Sequence, residues 1–357
     1  MTRYTAADRK PLAHVDRLAA WRLGQRPSPV SIEWDLSNRC PWGCVDCHFA
    51  YTHTKGPWTR QQRQMPAAYD ATGDLADARV VCRALGEMRV ADVRGIVWTG
   101  GGEPSVHHEA LAIWQHASSL GFEQGIYTLG ATLRDEQIAF LRDHFAWTVV
   151  SLDAIAPKTY AHEKRAPIHA FDEASDAIRR LSGGPCVVGV SFLLHERNWR
   201  QAGAMADHAR SLGASYAVFR PTIRTSPDNP AQPIGDRAWV AEARPLLENL
   251  ATAPDVELNV HRFEQWANWT AHPYTSCHGI KLVSMVTPDA RVWVCPNRRG
   301  YPDSCIGDLT TQSWAEVWAQ HPGRWTDFAQ CRAMCRLHAV NETLSTVFDG
   351  TAHQSFV

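Results

Sequence analysis

The sequence has no long hydrophobic run, no apolar core near its start and no excess of charge of one sign. Its apolar runs, such as those around Val149–Val150 and Val187–Val188, are far shorter than the roughly 18 residues that a membrane-spanning helix requires. The first ten residues, MTRYTAADRK, are too polar for a secretory signal. A net charge of -1 gives no support for a nucleic acid or an anionic membrane as partner. We therefore expect a cytoplasmic protein.

Disorder is excluded as well. Hydrophobic residues make up 45% and charged residues 20% of the 357 residues, which is the balance of an ordinary globular protein. At roughly 150 residues per domain, this length predicts two domains, or one large barrel with an extension.

Cysteine, in contrast, is abundant, with ten residues in a chain for which a reducing compartment is expected. Two of them, Cys82 and Cys186, stand alone and are expected to be buried apolar side chains. The others form two groups separated by a long cysteine-poor middle, which predicts two metal sites. The first group is Cys40, Cys44 and Cys47, and the second is Cys277, Cys295, Cys305, Cys331 and Cys335.

Segments that read as strands alternate with amphipathic helices along most of the chain. The predicted strands are 30–36, 95–99, 125–129, 147–152, 186–194, 216–219 and 256–260, and the predicted helices are 75–88, 109–120, 136–144, 170–181, 201–212 and 236–250. Repeated strand–helix units imply a parallel sheet with right-handed crossovers. Six or seven units are too few to close an eight-fold barrel, which leaves a partial barrel or an open doubly wound sheet. This alternation stops near residue 262.

The first cysteine group lies in the loop after the first strand, at the end of the sheet where active sites collect. Three thiolates at spacings of four and three residues can hold an iron–sulfur cubane and leave one iron without a protein ligand. A zinc site is the alternative, and it would need a fourth ligand such as His48.

The Cys40–Cys47 segment, with its CxxxCxxC spacing, and the Gly100-Gly-Gly-Glu-Pro104 segment after the second strand together resemble the radical S-adenosylmethionine (SAM) superfamily. The resemblance implies a [4Fe–4S] cluster held by the three cysteines, with SAM bound to the open iron. It also implies that Gly101, Gly102 and Glu103 contact the methionine part of SAM.

Ser151 and Asp153, at the end of the fourth strand, look like the polar pair of that family that contacts the ribose, although either residue could instead cap a helix. In one respect the sequence departs from the family: Asp46 stands where an aromatic residue usually packs near the adenine. Phe49 or Tyr51 is the expected replacement.

The C-terminal cysteines and the turn at Pro288–Asp289 resemble the SPASM/Twitch extension of radical SAM enzymes, with Ala290 in place of the usual glycine. Five cysteines are too few for two auxiliary clusters, so the resemblance implies one auxiliary [4Fe–4S] cluster. Its expected ligands are Cys277, Cys295, Cys331 and Cys335. Cys305 is left as a spare thiol and a candidate hydrogen-atom donor. Two alternatives stay open: Cys305 replaces one of these four ligands, or the site holds zinc instead of an iron–sulfur cluster.

The two resemblances imply a partial (β/α)6 TIM-like barrel over residues 30–262, preceded by a leader over 1–29 and followed by a small auxiliary-cluster domain over 263–357. They imply an enzyme that abstracts a hydrogen atom through the 5′-deoxyadenosyl radical and needs an external electron donor of the flavodoxin or ferredoxin type. We expect dehydrogenation with the auxiliary cluster as electron acceptor, or epimerisation if Cys305 returns a hydrogen atom.

The substrate class is less determined. About thirty residues precede the first strand, fewer than a leader-binding domain of a peptide maturase takes, so a small polar metabolite of sugar or aminocyclitol type is expected, as in antibiotic biosynthesis. Arg220, Arg224 and Glu264 could contact such a substrate. A ribosomal-peptide maturase and a non-catalytic zinc-binding module are the alternatives.

Overall fold

The computed structural model describes residues 4, 8–47, 75–224, 232–268, 272–328, 331 and 335–350. These residues form one ten-stranded sheet in the order β10-β9-β8-β1-β2-β3-β4-β5-β6-β7. The strands are β1 (Ser31–Asp35), β2 (Gly95–Thr99), β3 (Glu123–Thr128), β4 (Trp147–Ser151), β5 (Val187–Leu194), β6 (Tyr216–Pro221), β7 (Val256–Leu258), β8 (Val283–Val286), β9 (Arg291–Trp293) and β10 (Cys305–Asp308).

Strands β1 to β7 are parallel and follow the chain order, and helices connect them. The helices of the described residues are α1 (Val15–Arg22), α2 (Ala78–Val90), α3 (Ala110–Ser119), α4 (Asp135–His144), α5 (Pro157–Lys164), α6 (Ala170–Leu181), α7 (Ala202–Ser211), α8 (Trp239–Leu250), α9 (Val260–Asn268), α10 (Trp314–Ala319) and α11 (His338–Phe348). This arrangement confirms the predicted partial TIM-like barrel. None of these helices has the length and apolar character needed to cross a bilayer.

The two faces of the sheet differ because successive side chains of a strand point in opposite directions. One face packs against the helices and forms the main apolar core, which includes Ile32, Trp34, Ile96, Trp98, Ile126, Val150, Val190 and Phe192. The residues between them share the other face, which we call the inner face. Among them are Glu33, Val97, Tyr127, Val149, Ser151, Ser191, Val218 and Arg220.

Aromatic rings fill the inner face at the amino-terminal ends of the strands. A Cβ atom at Gly125 would lie 2.0 Å from the ring of Trp147, and one at Gly189 would lie 2.4 Å from the ring of Tyr216. Both positions therefore need glycine to leave room for the rings. Tyr4 stacks on Tyr216 with ring centroids 4.8 Å apart. The opposite end of the inner face, where the strands finish, is left for a site.

The C-terminal segment continues this sheet. β8 pairs in parallel with β1 on the side away from β2, and β9 and β10 follow in antiparallel order. The predicted turn at Pro288–Asp289 joins β8 to β9, and Ala290 takes the left-handed φ of 63° that the usual glycine would adopt without strain. The predicted boundary at residue 262 falls within α9.

Two helices after β4 replace the single predicted one. The structure adds α5, whose buried residues are Tyr160 and Lys164, one turn apart. A helix that buries one aromatic ring and one ammonium group has no apolar stripe, so periodicity could not reveal it. α9, α10 and α11 were also not predicted.

Candidate active site

The first cysteine group forms a half-buried loop after β1. The loop turns back on itself where the N–H of Cys47 donates to the carbonyl oxygen of Cys44 at 3.2 Å. It is also joined to α5, because the N–H of Val45 donates to the carbonyl oxygen of Glu163 at 2.8 Å. Burial raises the pKa of the Cys40 thiol well above its usual range, and the nearby Cys44 adds to the rise. Thiolates in this loop therefore need a bound cation to offset their charge.

The glycine-rich segment after β2 lies directly against this loop. The N–H of Gly102 donates to the carbonyl oxygen of Ser37 at 2.9 Å, and the N–H of Glu103 donates to that of Arg39 at 2.9 Å. A Cβ atom at Gly102 would lie 2.1 Å from the carbonyl oxygen of Arg39, and one at Gly100 would lie 2.0 Å from that of Gly102. Only glycine permits this contact, which brings the two sequence motifs together.

The side chain of Glu103 is 2% exposed and is bound by its own chain. Its carboxylate accepts hydrogen bonds from the hydroxyl of Thr128 at 2.7 Å and from the N–H groups of Leu129 at 2.8 Å and Ser105 at 3.2 Å. Burial raises the pKa of this carboxyl group, and the three donors oppose the rise. Glu103 thus anchors the glycine-rich segment to the end of β3, a role that the motif did not reveal.

Ser151 ends β4 on the inner face, and Asp153 follows with a left-handed φ of 58°. The carboxylate of Asp153 accepts from the N–H of Leu193 at 2.8 Å and from the buried ammonium of Lys164 at 2.5 Å. Burial would lower the pKa of Lys164, but Asp153 and Cys44 raise it, so the ammonium stays charged. The described contacts of Asp153 are not those of a helix cap.

A small cavity adjoins this pair, lined by Cys44, Asp153 and Lys164 together with Asp46 and His195. Asp46 forms an ion pair with Arg224 at 2.7 Å. One ligand atom from each of Asp46, Glu163 and His195 lies within 4.8 Å of the other two, a spacing that a metal ion could use. Because Arg224 already neutralises Asp46, we assign no metal to it. His48, Phe49 and Tyr51 lie outside the described residues.

A second cavity brings together four of the five C-terminal cysteines. Cys277, Cys295, Cys331 and Cys335 all line it. The rest of its wall is mainly apolar and aromatic and includes Ile280, Val294, Trp325, Phe328 and Leu337. Burial raises the pKa of all four thiols, and for Cys295, Cys331 and Cys335 the neighbouring cysteines add to the rise.

Three N–H donors point at the sulfur atoms of this cavity. The amide of Asn341 donates to the Sγ atom of Cys277 at 3.2 Å, and the amide of Asn297 donates to that of Cys335 at 3.3 Å. The N–H of Leu337 also donates to the Cys335 Sγ atom at 3.3 Å. Hydrogen bonds of this kind stabilise thiolates and tune an iron–sulfur cluster.

Cys305 is not among the residues that line either cavity. It begins β10, where its Sγ atom lies 3.7 Å from the carbonyl oxygen of Gly307. Burial raises the pKa of the Cys305 thiol. Among the side chains of the β9 hairpin, Arg291 lowers this pKa and Asp289 raises it.

The residues that were suggested as substrate contacts lie in different parts of the structure. Glu264 pairs with Arg244 at 2.7 Å, whereas Arg220 lies on the inner face and donates to the hydroxyl of Tyr127 at 3.2 Å. Arg262, which interacts electrostatically with Arg220 and Arg336, was not among the predicted site residues, because its local sequence does not show which distant residues face it.

Comparison with known proteins gives a family and a fold. Residues 34–209 match the model described as the Radical SAM superfamily. A probable GTP 3′,8-cyclase of Methanothermobacter marburgensis is 24% identical over 229 residues, which cover 63% of this chain and 67% of the relative. The PqqA peptide cyclase of a Methylobacterium species is 22% identical over 310 residues, which cover 83% of this chain and 74% of the relative.

Solved structures show the same fold at low identity. Streptococcus suis SuiB bound to S-adenosylmethionine has a TM-score of 0.63 and 11% identity, and the match covers 87% of this chain and 70% of SuiB. The enzyme anSMEcpe with bound AdoMet has a TM-score of 0.55 and 11% identity, with 81% and 80% of the two chains covered. Both likenesses extend beyond the family match into the C-terminal part of the chain.

Proposed function

The chain belongs to the radical SAM superfamily through residues 34–209, and on that premise we propose that it removes a hydrogen atom from a substrate held on the inner face. We expect net oxidation of that substrate. The observation that carries the proposal is the contact of the glycine-rich segment after β2 with Ser37 and Arg39, the residues that lead directly into the Cys40–Cys47 loop, made by two backbone hydrogen bonds of 2.9 Å.

Cys40, Cys44 and Cys47 would hold the first [4Fe–4S] cluster, and the backbone of Gly101 and Gly102 would receive the methionine part of SAM. The donor set fits, because three thiols share one loop whose charge only a cation can offset. When bound, SAM and the first cluster would supply the 5′-deoxyadenosyl radical that takes the hydrogen atom, and the auxiliary cluster would accept the electron that the substrate then loses.

The second cavity fits an auxiliary [4Fe–4S] cluster. Four thiols are the full ligand set of a closed site, and donors from Asn297, Asn341 and Leu337 meet two of the sulfur atoms. The ligands would be Cys277, Cys295, Cys331 and Cys335, and the division into a barrel over 30–262 and an auxiliary domain over 263–357 follows from this assignment.

The chain's own residues shape the space for the substrate. The rings of Trp147, Tyr216 and Tyr4 fill the amino-terminal end of the inner face, which keeps water from entering there. Ser151 and Ser191 are small polar side chains nearer the open end, available to orient a substrate or the ribose of SAM. Lys164 holds Asp153 in place beside Cys44.

Oxidation is favoured over epimerisation by the position of Cys305. A hydrogen-atom donor must reach the substrate radical, whereas Cys305 lies at the start of β10 among Asp289, Arg291 and Asp308. We therefore propose no catalytic role for Cys305. An external one-electron donor of flavodoxin or ferredoxin type would reduce the enzyme.

The substrate we propose is a small polar metabolite of sugar type, because Ser151, Ser191 and Arg220 lie on the inner face towards the ends of their strands, beyond the aromatic rings. A peptide is the second candidate, and it is supported by the likeness to a PqqA peptide cyclase and to SuiB, which has been solved bound to a precursor peptide.

The test is anaerobic reconstitution with iron and sulfide, followed by reduction in the presence of SAM. We expect 5′-deoxyadenosine from the wild type and none from Cys44→Ala, with Cys82→Ala as the matched control. A candidate substrate should become lighter by two hydrogen atoms on oxidation, whereas epimerisation in deuterated water would add one deuterium. Stoichiometric zinc with no uptake of iron would disprove the proposal.

A further inference from the structure

Three arginine side chains from different parts of the chain interact electrostatically with one another, and one of them, Arg220, lies on the inner face. Arg220 comes from the end of β6, Arg262 from the start of α9, and Arg336 from the residue after Cys335. Arg220 donates to the hydroxyl of Tyr127 at 3.2 Å, and its guanidinium lies 5.4 Å from the centre of that ring. The fold thus places three cations around Tyr127.

Only Arg336 of this group forms an ion pair with an acidic side chain among the described residues. Glu33 pairs with Arg336 at 2.7 Å, and Asp153, which also faces Arg220, is already bound by Lys164. Arg262 has no acidic partner among the described residues, since Glu264 on the same helix pairs with Arg244. Burial lowers the pKa of Arg262 to about 10, and the charges of Arg220 and Arg336 contribute to the decrease.

The arginines have electrostatic neighbours beside both cysteine groups. Arg220 interacts electrostatically with Asp153, which lines the cavity beside Cys44. Arg262 interacts with Cys335, which lines the second cavity. A substrate bound by these arginines would share electrostatic neighbours with both proposed cluster sites.

We propose that Arg220 and Arg262, supported by Arg336, bind an oxyanion of the substrate, either a carboxylate or a phosphate. The proposal rests on the function proposed above and narrows its substrate class to anionic metabolites. Guanidinium groups suit this role because their planar N–H donors match carboxylate and phosphate oxygens. A protonated aminocyclitol would be repelled.

The first test needs no knowledge of the substrate. If the arginines are held together for binding, their repulsion destabilises the free protein, and removing one charge relieves it. In the reconstituted holoenzyme in sodium chloride, Arg262→Gln should therefore raise the melting temperature. The exposed Arg200→Gln variant, which loses a surface pair with Glu242 and a contact of its guanidinium with the Trp199 ring, should change it only slightly. A lower melting temperature for Arg262→Gln would show a structural cation and overturn the proposal.

The second test measures anion binding, with sodium acetate and inorganic phosphate as probes for the two oxyanion sources. At equal ionic strength, one of them should stabilise the wild type more than chloride does. The apparent dissociation constant should rise roughly tenfold or more in Arg220→Gln/Arg262→Gln, as loss of a charge-assisted hydrogen bond predicts. Comparison with the variant removes general salt effects on stability. Equal stabilisation of wild type and double variant by both anions would overturn the proposal.

The two proposals fail in different ways. Formation of 5′-deoxyadenosine without binding of either anion would refute the anion site alone. Specific binding without iron uptake would refute the radical mechanism and leave the anion site in place.

Discussion

The carboxylate of Asp35 at the end of β1 forms a buried ion pair with the guanidinium of Arg299, 264 residues later in the chain. Arg299 follows Cys295 of the second cavity, while Asp35 precedes the Cys40–Cys47 loop, and the backbone N–H of Gly101 helps to lower the pKa of Asp35. Burial raises the pKa of Asp35 to about 7, although Arg299 opposes the rise. This one pair connects both cysteine groups and the glycine-rich segment.

Removing one partner of this pair should be costly. Arg299→Met leaves Asp35 as an uncompensated buried carboxylate, and we expect the free energy of unfolding to fall by about 3–5 kcal/mol in urea titrations followed by tryptophan fluorescence. Asp35→Asn/Arg299→Met should recover part of the loss because it removes both charges. A double variant no more stable than Arg299→Met would contradict the importance of the pair.

Iron content tests the ligand sets. Reconstituted wild type should contain about eight iron and eight sulfide per chain, because each of the two clusters holds four iron atoms. Replacing Cys40, Cys44 and Cys47 together by Ala should leave about four, as should Cys335→Ser. Cys305→Ser is the matched control and should keep all of the iron. Loss of a cluster in that variant would show that Cys305 is a ligand.

Glu103 should matter more for folding than the glycine-rich motif suggests. Glu103→Ala would leave three buried donors without an acceptor, so we expect the free energy of unfolding to fall by roughly 3 kcal/mol. His108→Ala, at an exposed position nearby, serves as the control. Unchanged stability with tenfold weaker SAM binding in Glu103→Ala would instead identify a direct ligand contact.

Hydrogen bonds to sulfur should tune the auxiliary cluster. Asn297→Leu removes the donor to Cys335, and loss of a donor disfavours the reduced, more negative cluster. We expect a more negative midpoint potential for one cluster in redox titrations followed by electron paramagnetic resonance, with the iron content unchanged. A shift in the SAM-binding cluster alone would contradict the assignment.

Stability should decrease as the pH falls below the ordinary pKa of histidine. His321 is fully buried against Trp318, and burial lowers its pKa from 6.5 to about 3. The unfolded chain then binds a proton that the folded chain rejects, so stability is complete above pH 6.5 and lost progressively towards pH 3.

Between pH 6.5 and 5.5 this group loses about 1 kcal/mol of stability. His321→Gln should flatten the pH dependence of the free energy of unfolding by this amount, even if the variant is less stable at neutral pH. The partly exposed His116 provides the control variant His116→Gln. An unchanged slope in His321→Gln would show that the ring is protonated in the folded state.

Local sequence determined a large part of this protein. Strand-like apolar segments that alternate with amphipathic segments predicted the parallel strands and most helices between them, because each such element buries one face against its neighbours. Short-range cysteine spacing predicted the Cys40–Cys47 loop, and the residues that match the glycine-rich motif lie against it. The sequence set Cys305 apart from the other four C-terminal cysteines only because a closed cluster needs four ligands and five cysteines are present. The roles of all these cysteines in a site remain predictions.

Only the tertiary structure decided which distant residues meet. Glu103 binds the end of β3, Asp35 binds Arg299, and Arg220 approaches Arg262. None of these relationships leaves a local pattern, since each depends on strand order and register rather than on spacing along the chain. The sequence does not show whether a charged side chain faces solvent or lies on the inner face. The physical reason is that burial and partner identity, which set its charge and its role, are properties of the assembled sheet.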